Sequence, residues 1–128
     1  MTTSSEKSGT AKIEFKTQLS NMKTTYRSIM EVTNYIITSE IDPLKMAKYW
    51  LQLVKNEKKI DKKKAYVYLV SELFQFARKK KDQMMKKPFQ GAFYNSLIYL
   101  KGSIDSTCLK CLGEELYISI FIYYRLIY

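Results

Sequence analysis

Residues 62–81 read KKKAYVYLVSELFQFARKKK, and this stretch decides the fold. Its apolar side chains recur at steps of three, four and one residues, which is the spacing of one face of an α-helix. We therefore expect a helix over about residues 62–81. Its predicted apolar face consists of Tyr66, Leu69, Leu73, Phe76 and Ala77.

A second set of residues in the same stretch forms a narrow stripe on the other side of this helix. Tyr68, Glu72, Gln75 and Lys79 fall at positions i, i+4, i+7 and i+11, so they align along the helix axis. A stripe of this kind is either an ordinary hydrated face or a surface that contacts a peptide. The pattern leaves both interpretations open.

On the N-terminal side, the apolar spacing predicts three more helices. Two of them cover about residues 12–22 and 24–38, and Thr24 or Thr25 caps the second. The dipeptide Asp42-Pro43 starts the third, because aspartate suits the N-cap and proline suits the first helical position. The apolar side of that third helix is predicted to contain Leu44, Ala47, Trp50, Leu51 and Val54.

On the C-terminal side, Pro88 is predicted to start a helix that ends at Gly102. Asp105 or Ser106 is predicted to start a last helix. The inward side of the Pro88 helix is predicted to contain Phe89, Phe93, Leu97 and Leu100. Glycine and proline are scarce, with four and two residues, so the sequence predicts an all-helical chain with short loops.

The composition indicates one compact domain without catalytic chemistry. The chain has 128 residues, of which 46% are hydrophobic, enough for one core and too few for two ordinary domains. It has no histidine, which excludes Ser-His-Asp and Cys-His catalytic groups and histidine-ligated zinc. Cys108 and Cys111 form a CxxC without two further cysteine or histidine ligands. We predict no enzyme activity, no metal site and no cofactor.

The net charge of +10 is concentrated in two lysine runs, residues 55–64 and 78–87. Each run contains six basic residues, and the runs carry net charges of +4 and +5. Such a run is usually a solvated helix end or loop. Alternatively, the two runs together form a single positive field that attracts a phosphorylated or nucleic-acid ligand.

The two ends of the chain carry no targeting or membrane signal that we recognise. Residues 1–10 are small and polar, so we expect no secretion signal, and residues 1–11 are predicted to be disordered. The apolar run at residues 116–128 is interrupted by Arg125 and is shorter than the roughly 20 residues that a membrane span needs. Residues 12–128 are therefore predicted to form one helical domain.

The order and spacing of several short motifs resemble the RNA polymerase II C-terminal-domain interaction domain, or CID. Residues 68–75, YLVSELFQ, resemble the family's helix-4 signature, Tyr-Leu-x-Asn-Asp-hydrophobic-x-Gln. Trp50 falls at the helix-3 tryptophan position. The other matching pieces are Leu19-x-x-Met22, Ser28-Ile29, Tyr35-Ile36-Ile37, Phe89-x-x-x-Phe93-x-x-x-Leu97 and Arg125-Leu126-Ile127-Tyr128.

This resemblance implies a right-handed superhelix of about seven to eight helices, similar to ENTH and VHS domains. It implies a monomeric, nuclear module whose groove binds the heptad-repeat tail of the polymerase's largest subunit, with recognition depending on serine phosphorylation. Such modules recruit 3′-end processing, termination or elongation factors. The alternative is a helical adaptor of the ENTH/VHS type that binds RNA or acidic lipid through the lysine runs.

The resemblance also assigns site residues. The peptide-binding residues that it implies are Thr24, Tyr26, Arg27, Tyr68, Ser71, Glu72, Gln75 and Lys79. The candidates for phosphate contact are Arg27, Lys79 and Lys110. Glu72 stands at the family's groove aspartate and Phe76 where many relatives carry asparagine. Tyr117 stands at the position of the phosphate-reading arginine in helix 7.

Overall fold

The computed structural model of the chain describes residues 13–81 and 83–100. Within these residues the chain forms five consecutive α-helices and no strand. The first, α1, is described over residues 13–20. The others are α2 (Tyr26–Thr38), α3 (Pro43–Asn56), α4 (Ile60–Lys80) and α5 (Gln83–Leu100).

The described helices confirm the predicted all-helical fold class. The other helices of the expected superhelix, including the one predicted to start at Asp105 or Ser106, lie outside the described residues, and so does Gly102. None of the helices between residues 13 and 100 is long and apolar enough to cross a lipid bilayer.

The predicted starts of α2 and α3 are confirmed by their caps. Thr25, one of the two predicted candidates, accepts a hydrogen bond on its Oγ1 from the Ser28 N–H at 3.3 Å. Asp42 accepts one on Oδ1 from the Leu44 N–H at 3.1 Å, with Pro43 in the first turn. In both cases a side-chain oxygen satisfies an amide that the first turn of a helix leaves without a backbone partner.

The prediction that Pro88 starts a helix is wrong, because α5 begins at Gln83 and contains Pro88 in its interior. A proline in that position cannot donate to the carbonyl four residues earlier, here that of Met84, and its ring disfavours helical geometry at Lys87. Met85 and Phe89, on either side of Pro88, are buried. Their burial stabilises this part of α5 and offsets the missing hydrogen bond. The predicted inward side of this helix is confirmed, because Phe89, Phe93, Leu97 and Leu100 are all fully buried.

Aromatic side chains join α3, α4 and α5 in the core. Trp50 on α3 is fully buried, as predicted, and its Nε1 donates to the backbone oxygen of Tyr66 on α4 at 3.1 Å. Phe93 on α5 contacts Trp50, with ring centroids 6.4 Å apart, and meets Phe74 edge to face at 6.2 Å. This geometry is favourable for aromatic rings beyond the area that they bury.

The predicted inward face of α3 needs one correction. Leu44 is 49% exposed, whereas Met46 is fully buried. Leu44 lies in the first turn of α3, next to the Asp42 cap, and this part of the helix surface faces solvent. Ala47, Trp50 and Val54 are buried as predicted, and Leu51 is partly buried.

The helix α4 packs against α2, α3 and α5. It ends at Lys80, and the C-cap residue Lys81 adopts a left-handed conformation with φ of 53°. The N–H of Lys81 donates to the Ala77 carbonyl. Arg78, Lys79 and Lys80 occupy its last turn, where cations interact favourably with the helix dipole.

Candidate functional site

In the central part of α4, residues 65–77, the accessible surface is confined to one side of the helix. Of the thirteen residues from 65 to 77, nine are buried. The four that remain accessible are Tyr68, Glu72, Gln75 and Phe76, all partly buried. Lys79 extends the same side and is exposed. The stripe predicted from the sequence is therefore the only accessible face of this part of α4 among the described residues, and we call these five residues the α4 stripe.

Phe76 is the residue of the α4 stripe that the sequence interpretation misplaced. It was assigned to the apolar face, but it is partly exposed, whereas Tyr66, Leu69, Leu73 and Ala77 are buried. The sequence does contain an indication of this exposure: Phe76 lies one helical turn after Glu72 and therefore on the same side of α4. Phe76 adds an aromatic ring beside the carboxylate of Glu72 and the amide of Gln75.

Ser71 lies beneath the surface. Only 2% of this residue is exposed, so a ligand on the α4 stripe cannot reach its hydroxyl without displacing neighbouring side chains. Of the residues that the resemblance assigns to the site, Ser71 is the one that the structure places inside the core.

The first turn of α2 presents the second group of site residues. Thr24 is exposed in the turn before the helix, and Tyr26 is 72% exposed. The guanidinium of Arg27 lies 3.3 Å from the Glu31 carboxylate, and the Arg27 side chain is 91% exposed. An ion pair with this exposure contributes little to stability, so Arg27 can exchange Glu31 for an anionic ligand at small cost.

Arg27 also lines a shallow cavity of about 460 Å³ between α1 and α2. The cavity walls are mainly polar and include Gln18, Asn21, Lys23 and Glu31. Two cations, Lys23 and Arg27, thus face one concave surface that contains a single carboxylate.

A lysine side chain fixes the relative position of α2 and α4. The Lys62 Nζ donates to the backbone oxygen of Ser20 at 3.1 Å and also to that of Met22. The first turn of α4 is therefore attached to the turn between α1 and α2. Burial lowers the pKa of the Lys62 ammonium, and the neighbouring charges of Glu57 and Lys59 raise and lower it respectively.

Because α2 and α4 begin at the same end, the two described phosphate candidates lie far apart. Arg27 lies in the first turn of α2, directly after residues 22–25, which face the start of α4, whereas Lys79 stands seventeen residues after Lys62. At 1.5 Å per residue this corresponds to about 25 Å along the helix. Arg27 and Lys79 therefore cannot hold the same phosphate group.

The same argument separates the two lysine runs. Residues 55–64 form the end of α3, the linker and the start of α4. Of the second run, residues 78–81 lie at the end of α4 and residues 83–87 at the start of α5. Lys64 and Arg78 are about 21 Å apart along α4, more than twice the Debye length of about 8 Å at physiological salt. The runs act as two separate positive regions, at opposite ends of the α4 stripe.

The remaining predicted features of the site lie outside the described residues. They are Lys110, Tyr117 and the Cys108–Cys111 pair. Among the residues that the structure does describe, no group of three or more histidine, cysteine, aspartate or glutamate side chains is placed to hold a metal ion.

Comparison with known families gives one match. A protein-family model described as CID domain matches residues 13–112, which is more than half of the chain and includes all five described helices. A search of curated proteins and a search of solved structures each give no match.

Proposed function

Since the chain belongs to the CID domain family, we propose that it binds the heptad-repeat tail of the largest subunit of RNA polymerase II. Domains of this family bind that C-terminal domain and act as protein-interaction modules rather than as catalysts. The observation that carries the proposal is the α4 stripe, because it supplies aromatic, carboxylate and amide groups on the only accessible face of the central part of α4.

The chemistry of the stripe suits a proline-rich peptide that contains serine, threonine and tyrosine. Glu72 can accept hydrogen bonds from peptide hydroxyl and N–H groups, and Gln75 can both donate and accept. Tyr68 and Phe76 provide the apolar surface on which proline and tyrosine rings pack. Partial burial of all four side chains limits their freedom before binding, which reduces the entropy lost on association.

For phosphorylated tails we propose that Arg27 and Lys79 contact different phosphate groups, near opposite ends of α4. Arg27 can form a bidentate contact, whereas Lys79 acts as a point charge. Lys110 is the third candidate for phosphate contact, and the family resemblance is what supports its inclusion. Thr24 and Tyr26 would border the bound peptide beside Arg27.

In the cell, we propose, this module recruits a 3′-end processing, termination or elongation factor to the transcribing polymerase. It would act in the nucleus as a monomer, without a cofactor. The family match does not favour the alternative of an ENTH/VHS-type adaptor.

The test is titration of the full chain with two-repeat tail peptides, followed by calorimetry. One peptide is unphosphorylated, and the others carry phosphate on the second or the fifth residue of each heptad. We expect saturable binding to at least one of them, and Arg27→Gln should weaken the phosphorylated complex more than the unphosphorylated one. Absence of binding to all three peptides at modest salt would refute the proposal.

A further inference from the structure

An open groove of about 800 Å³ lies where the turn between α1 and α2 meets the start of α4. Residues 22–25 form one wall and residues 58–62 form the other. Four of the nine lining residues are lysines, and Asp61 is the only acidic one. We call this the lysine groove; its lysines are Lys23, Lys58, Lys59 and Lys62.

Three of these four ammonium groups are available to a ligand. Lys62 is occupied by the Ser20 and Met22 carbonyls. Lys23, Lys58 and Lys59 are exposed, and none of them forms an ion pair with another residue in the described ranges 13–81 and 83–100. Two carboxylates lie near them, Asp61 in the groove wall and Glu57 beside Lys59, so positive charge remains in excess and an anionic ligand would relieve the repulsion.

The backbone around the groove adds to this positive potential. The helices α2 and α4 both begin here, at Tyr26 and Ile60, and the amides of a first helical turn carry partial positive charge. Thr25 caps α2, whereas α4 has no side-chain cap. The backbone N–H of the N-cap residue Lys59 donates to Glu57 Oε1 at 3.1 Å, and no N-cap side chain accepts from the amides that follow it in α4.

Two exposed apolar side chains adjoin these charges. Tyr26, 72% exposed, follows directly after the groove residue Thr25, and Ile60, 54% exposed, lies in the groove wall. An exposed aromatic ring beside lysines is the arrangement on which unpaired nucleic-acid bases stack while the lysines contact the phosphate chain.

From this combination, we propose that the lysine groove binds single-stranded RNA, at a site that is distinct from the α4 stripe and meets the proposed peptide site at Thr24 and Tyr26. Lys23, Lys58 and Lys59 contact successive phosphates, and Tyr26 stacks on a base. The groove contains no arginine, whereas phosphopeptide sites are typically built on arginine clusters. Lysines, as flexible point charges, suit a chain that carries one negative charge per nucleotide.

The test uses a labelled oligouridine about twelve nucleotides long, within the site sizes of such surfaces. Its affinity for the full chain is measured by fluorescence anisotropy over a range of salt concentrations. Three lysine contacts to a single strand predict a slope of log K against log salt of about −2. The test variant is Lys58→Glu with Lys59→Glu. The matched control is Lys45→Glu with Lys48→Glu, which changes the net charge equally at exposed positions on α3.

We expect the Lys58/Lys59 variant to lose at least about tenfold in oligouridine affinity and to show a shallower salt slope. The control should lose less than about threefold, and Tyr26→Ala should lose at least about fivefold, because it removes a stacking contact. Thermal melting confirms that each variant is folded. Since Lys58 and Lys59 lie outside the α4 stripe, the Lys58/Lys59 variant should still bind the tail peptide.

Three results would overturn the proposal. Equal losses in the Lys58/Lys59 and Lys45/Lys48 variants would show that only net charge matters. If an RNA duplex bound as tightly as the oligouridine, or more tightly, base stacking in the groove would be excluded. Loss of phosphorylated tail binding together with unchanged oligouridine binding would assign the lysine groove to the tail peptide instead.

Discussion

Trp50 and Tyr66 connect α3 to α4 through one hydrogen bond: the indole Nε1 of Trp50 donates to the backbone oxygen of Tyr66 at 3.1 Å. Both residues are almost completely buried. Tyr66 lies half a turn before Tyr68, the first residue of the α4 stripe, so this contact positions the helix that carries the candidate site. Replacing either residue therefore tests how the core supports the site.

The substitution Trp50→Phe should destabilise the protein by at least about 2 kcal/mol. It removes the donor to Tyr66 and leaves space in a packed core, and both effects raise the free energy of the folded state. The measurement is urea unfolding followed by circular dichroism. Leu44→Ala, at a position on the same helix that is 49% exposed, should cost less than about 1 kcal/mol. Comparable losses in the two variants would contradict the central role of Trp50.

The phenol of Tyr66 should make stability depend on pH in the alkaline range. Burial, with a smaller contribution from Glu57, raises the pKa of Tyr66 from 10.0 to about 12. Below pH 10 the phenol is protonated in both states, so its contribution to stability is constant. Between pH 10 and 12 only the unfolded chain releases the proton, so stability falls as the pH rises, by about 2 to 3 kcal/mol.

Tyr66→Phe removes this titration. Stability measured by urea unfolding between pH 9 and 12 should therefore fall less steeply for Tyr66→Phe than for the natural chain, although other lysines and tyrosines titrate in both. Parallel curves for the two proteins would show that the Tyr66 phenol is not shifted by burial.

Replacing Pro88 with alanine should stabilise the protein by about 1 to 3 kcal/mol. Alanine supplies the N–H that the carbonyl of Met84 lacks and removes the steric conflict of an interior proline. The measurement is the midpoint of thermal unfolding, with Gln90→Ala on the same helix as the control. A lower midpoint for Pro88→Ala would mean that the proline ring contributes packing that outweighs the missing hydrogen bond.

Local rules predicted most of the described fold because the decisive residues act within a few positions of each other. Thr25 and Asp42 cap helices through contacts two or three residues away, and Phe89, Phe93, Leu97 and Leu100 are buried at the predicted helical spacing. The prediction for Pro88 was wrong because burial of Met85 and Phe89 outweighs a local preference.

Tertiary contacts explain what the sequence could not predict about the candidate site. Helical spacing predicted the α4 stripe except for Phe76. The burial of Ser71 and the exposure of Phe76 depend on which helices cover α4. The contact of Lys62 with Ser20 and Met22 joins residues about forty positions apart. No sequence pattern indicates it, and the position of the lysine groove depends on it.

The most direct test of the central claim is the dissociation constant of a two-repeat tail peptide for the natural chain, for Glu72→Ala and for Glu40→Ala. Glu40 is exposed in the loop between α2 and α3, so its loss changes the net charge equally without touching the α4 stripe. We predict at least about tenfold weaker binding for Glu72→Ala, unchanged binding for Glu40→Ala, and unchanged melting temperatures for both. Equal affinity of Glu72→Ala and the natural chain would contradict the claim that the α4 stripe holds the polymerase tail.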